Sequence, residues 1–312
     1  MTAEILVVAP IPPSTVEPLE KAFSAHYLTK APDKAKMLAE IGPQVRGVLT
    51  SGGAGINGET IGKLPKLEIV AVVGVGYDPV DLPACKARGI RVTNTPDVLT
   101  DDVADVAVGL TLNVMRRFVA ADKFVRAGDW LKGGQALTEK VGGKTVGIIG
   151  MGRIGQAIAR RAAAMEAKVV YHGPREKKDV PYRYYPNLEE MARDASVVIA
   201  ACPGGEATRG IVNAKVIEAL GTKGYFVNIS RGSVVDEPAL VKALVEGRLG
   251  GAGLDVFADE PKVPDALIKL DNVVLAPHVG SATRETRKAM GDLAVANLVA
   301  HFGGKPLLTP VA

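Results

Sequence analysis

A glycine-rich turn between a buried strand and a helix is the feature that most constrains the fold of this 312-residue chain. The apolar run 145–149 leads directly into a Gly-x-Gly-x-x-Gly pattern formed by Gly150, Gly152 and Gly155, and a helical pattern follows. In such a turn the first glycine permits the tight bend, the second admits a pyrophosphate to the backbone, and the third packs the helix against the strand. A further strand follows the helix, which favours a dinucleotide-binding βαβ unit over a glycine-rich packing turn without a ligand.

Short β-branched runs alternate with helical patterns along the chain, as in parallel sheets that are covered by helices on both faces. Because the glycine turn lies near the middle of the chain, a first α/β unit should precede the nucleotide-binding unit, and the last helix is free to return to the first. Strands are predicted at 5–9, 47–50, 68–73, 90–93, 145–149, 168–171, 196–200, 225–229, 251–256 and 273–276, and helices at 100–128, 155–164 and 283–302.

Composition and charge exclude several other classes of protein. The formal net charge is only +4, with Lys and Arg scattered among Asp and Glu, so nothing supports nucleic-acid binding. Two cysteines, Cys85 and Cys202, do not make a disulfide framework and favour the reducing cytoplasm. No apolar run has the length or flanks of a signal peptide or a membrane span, and we assign no residue to a metal ion.

The residues after the second strand of the central unit predict which dinucleotide binds. NAD enzymes usually place an Asp or Glu at the end of that strand, where it accepts hydrogen bonds from the ribose 2′-hydroxyl. Here the strand is predicted to end at Tyr171, and His172 and Gly173 follow it. Arg175, with lysines close by, can hold a 2′-phosphate, while Glu176 should point to solvent. The loop therefore predicts that NADPH is preferred over NADH. The alternative is that these basic residues bind no phosphate and are simply solvated.

Arg231, Glu260 and His278 each follow an apolar strand, at the carboxyl ends where open α/β sheets bind ligands. Hydride transfer to a carbonyl needs a proton donor and a positive group that anchors the substrate. An imidazole titrates near neutrality, and a carboxylate on its other nitrogen favours the protonated form. Taken singly, each residue has an ordinary structural or solvated role, but the three together indicate an oxidoreductase.

Six sequence motifs carry a resemblance to a known family. They are Gly74-Val75-Gly76-Tyr77-Asp78-x-Val80-Asp81, Val92-Thr93-Asn94-Thr95-Pro96, the glycine turn, Asn228-x-Ser230-Arg231-Gly232, Gly253-Leu254-Asp255-Val256-Phe257 and Pro277-His278-x-Gly280. With these motifs the chain resembles the D-2-hydroxyacid dehydrogenase family along essentially its whole length, and the basic loop resembles the glyoxylate/hydroxypyruvate reductase branch, which includes the hydroxyphenylpyruvate reductases.

The resemblance implies a homodimer of two doubly wound parallel-sheet domains, with a cleft that closes by a hinge. A Rossmann coenzyme domain, 97–284, would be inserted into a flavodoxin-like substrate domain, 1–96 with 285–312.

The resemblance also implies an activity, the NADPH-dependent reduction of small 2-keto acids such as glyoxylate or hydroxypyruvate to D-2-hydroxy acids. In that reaction Arg231 would hold the substrate carboxylate and carbonyl, and His278 would be the acid in reduction and the base in oxidation. Glu260 would tune His278, and the backbone N–H groups of Val75 and Gly76 would help to bind the substrate carboxylate. The implied cofactor contacts are Thr100, Gly150, Gly152, Arg153, Ile154, Gly155, His172, Gly173, Arg175, Cys202, Ile229, Arg231, Asp255, His278 and Gly280.

Several alternatives stay open at this stage. The chain could be an NAD-preferring dehydrogenase, or a non-catalytic dinucleotide-sensing protein like the corepressors that share this fold. The small residues of the loop 51–55 either leave room for a large substrate side chain or make a tight turn. Trp130 either reaches a neighbouring subunit's site or is a packed hydrophobic anchor.

Overall fold

A computed structural model describes residues 3–311, and these fall into two units. The first contains the described residues up to Leu99 together with those from Ala282 onward, and the second is Thr100–Ser281. The divisions at 99 and 281 lie close to the expected 96 and 284.

The first unit has a five-stranded parallel sheet in the order β2-β1-β3-β4-β5, the strand order of flavodoxin-like folds. The last helix of the chain, α12, returns to this unit, where it packs on α1 and β4. A Cβ at Gly291 of α12 would lie 2.0 Å from Thr15 Oγ1, so the helices α1 and α12 touch closely at that point. The strands are β1 Glu4–Val7, β2 Ser24–Tyr27, β3 Val45–Ser51, β4 Ile69–Val73 and β5 Arg91–Thr93, and the helices are α1 Pro13–Ala22, α2 Lys34–Ile41, α3 Gly58–Gly62, α4 Leu82–Ala87 and α12 Arg284–Phe302, with 3₁₀ turns at Leu28–Lys30 and Gly42–Gln44.

The second unit has a seven-stranded parallel sheet in the order β12-β11-β10-β9-β6-β7-β8. The strand order reverses at β6, which gives the Rossmann arrangement and a ligand-binding crevice at the carboxyl end of β6. The strands are β6 Thr145–Ile149, β7 Lys168–His172, β8 Arg183–Tyr185, β9 Val197–Ala200, β10 Tyr225–Asn228, β11 Gly251–Leu254 and β12 Val273–Leu275, and the helices are α5 Thr100–Arg116, α6 Phe118–Arg126, α7 Arg153–Ala164, α8 Leu188–Asp194, α9 Ala214–Leu220, α10 Glu237–Val245 and α11 Asp265–Ile268, with 3₁₀ turns at Asp129–Lys132, Glu206–Thr208 and Gly232–Val234.

These sheets confirm the predicted pair of doubly wound parallel-sheet units, with three corrections. The helix expected over 100–128 is two helices, because Arg117 adopts a left-handed conformation (φ 51°) that interrupts the helical hydrogen bonds. The edge strands β2 and β8 were not predicted. The strands β10 and β11 end at Asn228 and Leu254, earlier than the expected 229 and 256. Ile229 and Asp255 therefore belong to the loops at the carboxyl edge of the sheet.

Among residues 3–311, no helix combines the length and the apolar character needed to cross a membrane. In the same part of the chain, no group of three or more His, Cys, Asp or Glu side chains is arranged to hold a metal ion.

Candidate active site

The three glycines of the central turn are required for three different reasons. Gly150 has a φ of 95°, and a Cβ there would lie 2.7 Å from Cys202 Cα. A Cβ at Gly155 would lie 2.0 Å from the Gly150 carbonyl oxygen, so α7 packs directly on the turn. At Gly152 a Cβ would meet nothing within 4 Å, which leaves open space beside the amino terminus of α7.

This open space fits a dinucleotide pyrophosphate. Gly152 is the N-cap of α7 and provides no side-chain hydrogen bond to the first N–H groups of the helix. Arg153 and Ile154 are the first residues of α7, where N–H groups and the helix dipole favour an anion. Arg153 is exposed and Ile154 is half-buried.

The end of β7 carries a histidine where NAD enzymes usually carry a carboxylate. His172 is the last residue of β7, one position beyond the predicted strand end. Its Nδ1 donates to the Tyr185 carbonyl oxygen at 2.9 Å. Gly173 follows it, Arg175 is exposed in the next loop, and Glu176 is exposed as well. These residues fit a 2′-phosphate better than a free ribose 2′-hydroxyl, because no acidic group lies at the strand end to repel it.

Arg231 is placed by a buried asparagine. Asn228 is fully buried at the end of β10, and its Nδ2 donates to the Arg231 carbonyl oxygen at 2.9 Å. Its Oδ1 accepts the Ser230 N–H at 3.0 Å, and the Ser230 hydroxyl donates to the Cys202 carbonyl oxygen. The sequence motif contained Asn228 and Ser230, but their positioning roles are visible only in the structure.

Cys202 and Ile229, two of the implied cofactor contacts, are buried near this loop. Burial raises the pKa of the Cys202 thiol to about 11. The side chain is therefore uncharged at neutral pH. Gly232, the residue after Arg231, has no room for a side chain, because a Cβ there would lie 2.0 Å from the Phe257 carbonyl group. The loop after β10 therefore packs backbone to backbone on the loop after β11.

Asp255 organises the loop that carries His278. It is 1% exposed, and its carbonyl oxygen accepts the His278 N–H at 2.9 Å. Its two carboxylate oxygens accept the Val279 N–H at 2.7 Å and the Gly280 N–H at 2.8 Å. Burial raises the pKa of Asp255, although these two N–H groups oppose the shift. The structure thus gives Asp255 a positioning role in addition to the expected cofactor contact.

His278 and Glu260 form a hydrogen-bonded pair. The Nδ1 atom of His278 lies 2.7 Å from Glu260 Oε2, and the other oxygen of Glu260 accepts the Phe257 N–H at 3.1 Å. Burial acts to raise the pKa of Glu260, but the hydrogen bond and charge of His278, with the Phe257 N–H and the Arg231 charge, lower it overall. Glu260 is therefore ionised near neutral pH. Its negative charge interacts with both Arg231 and His278.

The His278 backbone adopts an uncommon conformation, and the ring is engaged by Glu260. Its φ of 54° lies in the left-handed region that non-glycine residues seldom adopt. Such conformations persist where the surrounding structure over-determines them, and they cluster at functional sites. Because Nδ1 is engaged by Glu260, Nε2 is the ring nitrogen left to face a ligand.

The other expected substrate contacts belong to the first unit. Val75 and Gly76 lie in the loop after β4, where the Asn94 Nδ2 donates to the Val75 carbonyl oxygen at 2.8 Å. The N–H of Gly74 donates to the buried Thr95 Oγ1 at 2.9 Å. The loop after β4 is thereby held by the motif that follows β5, a connection that the sequence did not reveal. In the second unit Thr100, an implied cofactor contact, is the first residue of α5.

The small-residue loop 51–55 is a tight turn. The Gly55 N–H donates to the Ser51 carbonyl oxygen at 3.0 Å, and Gly55 has a φ of 58°. A Cβ at Gly55 would lie 2.1 Å from the Pro79 carbonyl oxygen, so glycine is required there for packing. At Gly53 of the same loop, in contrast, a Cβ would meet nothing within 4 Å.

Comparison with known proteins identifies the family. The sequence model for the NAD-binding domain of D-isomer specific 2-hydroxyacid dehydrogenases matches residues 108–280. The chain belongs to the D-2-hydroxyacid dehydrogenase family. It is 51% identical to glyoxylate/hydroxypyruvate reductase A of Arabidopsis thaliana and 52% identical to hydroxyphenylpyruvate reductase of Plectranthus scutellarioides, over 98% of each chain in both cases.

A solved structure of the same family is similar throughout. The NADPH-dependent glyoxylate/hydroxypyruvate reductase of Sinorhizobium meliloti, in complex with NADP and malonate, matches with a TM-score of 0.93 and 43% identity. The match covers 100% of this chain and 97% of that one. These similarities confirm the predicted family and its glyoxylate/hydroxypyruvate reductase branch.

Proposed function

We propose that this D-2-hydroxyacid dehydrogenase reduces small 2-keto acids, such as glyoxylate or hydroxypyruvate, to D-2-hydroxy acids with NADPH. The observation that carries the proposal is the Glu260–His278 pair next to the Arg231 charge, in the unit that holds the glycine turn. The reductase names of the similar proteins from Arabidopsis thaliana and Sinorhizobium meliloti support the choice of substrate class.

The side chains divide the chemistry between them. NADPH, when bound at the glycine turn, would supply the hydride for the carbonyl carbon of the substrate. The Arg231 guanidinium pairs with the substrate carboxylate and polarises the carbonyl oxygen. As negative charge develops on that oxygen, His278 donates the proton from Nε2, and in oxidation it takes the proton back. Glu260 keeps the ring oriented through its hydrogen bond with Nδ1.

The preference for NADPH rests on the end of β7. The histidine at position 172 and the exposed Arg175 favour a 2′-phosphate, and the nearby Lys177 and Lys178 add positive charge. An NAD-preferring dehydrogenase is the second candidate, because Glu176 is in the same loop. The NADP complex of the similar Sinorhizobium meliloti reductase supports the first.

A panel of 2-keto acids assayed with NADPH and with NADH tests this proposal. We expect turnover of glyoxylate, hydroxypyruvate or hydroxyphenylpyruvate, and a kcat/KM about tenfold or more higher with NADPH, as one or two charge-assisted hydrogen bonds would give. A clear preference for NADH would contradict the cofactor assignment. Tight dinucleotide binding without turnover of any keto acid would favour the non-catalytic sensing protein instead.

Glu260→Gln should lower the rate of reduction. Because the pKa of Glu260 is lowered, its carboxylate is ionised across the neutral range and engages His278 Nδ1 as a charged group. Glutamine offers only a neutral acceptor in its place, so the ring loses a charge-assisted hydrogen bond and kcat/KM should fall about tenfold at pH 7.

Glu237→Gln is the matched control for this variant. Glu237 accepts the Ala258 N–H at 3.0 Å in the same loop region, whereas the carboxylate at the His278 ring is that of Glu260. The kcat/KM of Glu237→Gln should equal that of the wild type. An unchanged kcat/KM in Glu260→Gln would mean that the Glu260 carboxylate does not support the action of His278.

We also propose a homodimer formed through the segment that follows α5. Phe118, Val119 and Val125 of α6 are exposed, Trp130 is 69% exposed and Leu131 is 94% exposed. Apolar side chains clustered in this way mark an interaction surface, and Trp130 is not packed as an anchor within its own chain. A mass of one chain by light scattering at micromolar concentration would contradict the proposal.

The two cysteines, both buried and unpaired, support a cytoplasmic location, which cell fractionation can test.

A further inference from the structure

The loop that follows β7 is fastened at both ends by tyrosine hydroxyls. Tyr184 donates its hydroxyl hydrogen to the Gly173 carbonyl oxygen at 3.0 Å. Tyr171 accepts the Lys177 N–H at 2.7 Å, and its hydroxyl lies 3.4 Å from the Lys177 carbonyl oxygen. The exposed Arg175 lies between these two attachment points.

The two tyrosines are themselves well fixed. Tyr171 is 1% exposed in β7 and is paired in register with Tyr184 of the edge strand β8. Their ring centroids are 5.3 Å apart, so the rings pack on one another. Both attachment points of the loop therefore rest on side chains that are held in paired strands of the sheet.

Preorganisation of this kind matters most for a ligand group that the loop alone recognises. A loop that must become ordered when its ligand binds loses affinity, and fixing it beforehand removes that cost. The ribose 2′-phosphate is such a group, because the pyrophosphate is bound elsewhere, at the glycine turn. On the basis of the proposed function, we propose that Tyr171 and Tyr184 are positioning residues that hold the Arg175 loop in the conformation that binds the 2′-phosphate.

Binding of two probes to the intact protein separates this role from general stability. 2′,5′-ADP carries the 2′-phosphate and 5′-AMP does not, and calorimetry gives a Kd for each without any turnover. In Tyr184→Phe we expect 2′,5′-ADP to bind about fivefold more weakly, which is the effect of one hydrogen bond, while 5′-AMP binding stays unchanged. In assays the KM for NADPH should rise with little change in kcat.

The neighbouring Tyr185→Phe is the matched control. The Tyr185 hydroxyl belongs to the same edge strand but donates to Asp194 at 2.7 Å, away from the loop. We expect its affinities for both probes to equal those of the wild type. Tyr171→Phe should act in the same direction as Tyr184→Phe, and thermal unfolding of all three variants identifies any loss that comes from the buried position of Tyr171.

Two results would overturn the inference while leaving the proposed function intact. One is an unchanged affinity of Tyr184→Phe for 2′,5′-ADP, and the other is an equal loss for both probes, which would indicate a purely structural role. If the wild-type protein itself bound 2′,5′-ADP no more tightly than 5′-AMP, the proposed NADPH preference would fail together with this inference.

Discussion

His278→Asn is expected to lower the kcat/KM for 2-keto acid reduction by about 10²- to 10⁴-fold, the usual contribution of a positioned general acid. Asparagine is a better replacement than alanine, because residue 278 has a φ of 54° and asparagine tolerates the left-handed region. It also keeps a polar group near Glu260. The loss should therefore reflect the missing proton donor and not a collapsed loop.

Two further measurements make the His278 result decisive. The affinity for 2′,5′-ADP should match that of the wild type, because the groups proposed to bind it lie at the glycine turn and at the end of β7. The midpoint of thermal unfolding should also stay close to the wild-type value. A variant that retained kcat/KM within about threefold of the wild type would exclude His278 as the acid.

Arg231→Gln should be nearly as damaging, with kcat/KM for glyoxylate reduced about a thousandfold, as expected when a positive group that stabilises the developing charge is removed. Because Arg231 is proposed to contact both the carboxylate and the reacting carbonyl, kcat should fall and KM should rise. The charge of Arg231 also helps to lower the pKa of Glu260, so its loss weakens the ionised state of the pair.

Arg231→Lys distinguishes charge from geometry. A lysine keeps the positive charge but cannot form two parallel hydrogen bonds with a carboxylate, so most of the activity should still be lost. Arg248→Gln is a suitable control, since Arg248 is a half-buried residue that pairs with Glu246 just before β11, at the opposite edge of the sheet. Wild-type rates in Arg231→Lys would contradict the proposed two-point binding of the substrate.

The strands that can be predicted from the sequence are those that are buried on both faces of a sheet, because such strands are continuous apolar runs. The central strands β6 and β10 are continuous apolar runs, so their positions were clear. The edge strand β8 reads Arg-Tyr-Tyr and is only partly buried, so no apolar run indicated it. The break between α5 and α6 is not predictable, because the two residues directly before Phe118 are arginines and neither Gly nor Pro marks the left-handed turn at Arg117.

The candidate site was predictable to the same limited extent. Polar residues after apolar strands identified Arg231, Glu260 and His278, because parallel strands bring their carboxyl ends to one edge of the sheet. The role of Asp255 could not be found in this way. Its hydrogen bonds to three consecutive N–H groups depend on the path of the loop after β12, and that path is set by tertiary packing.

The return of α12 to the first unit has a consequence for the order in which the protein takes shape on the ribosome. The second unit is complete once Ser281 has emerged, whereas the first unit still lacks the helix that covers α1 and β4. Translation normally lets the amino-terminal part of a chain fold first. Here the surface of α1 and β4 that α12 covers stays uncovered until α12 itself has been synthesised. A nascent chain stopped just before Ala282 would therefore carry a finished nucleotide-binding unit attached to an unfinished one.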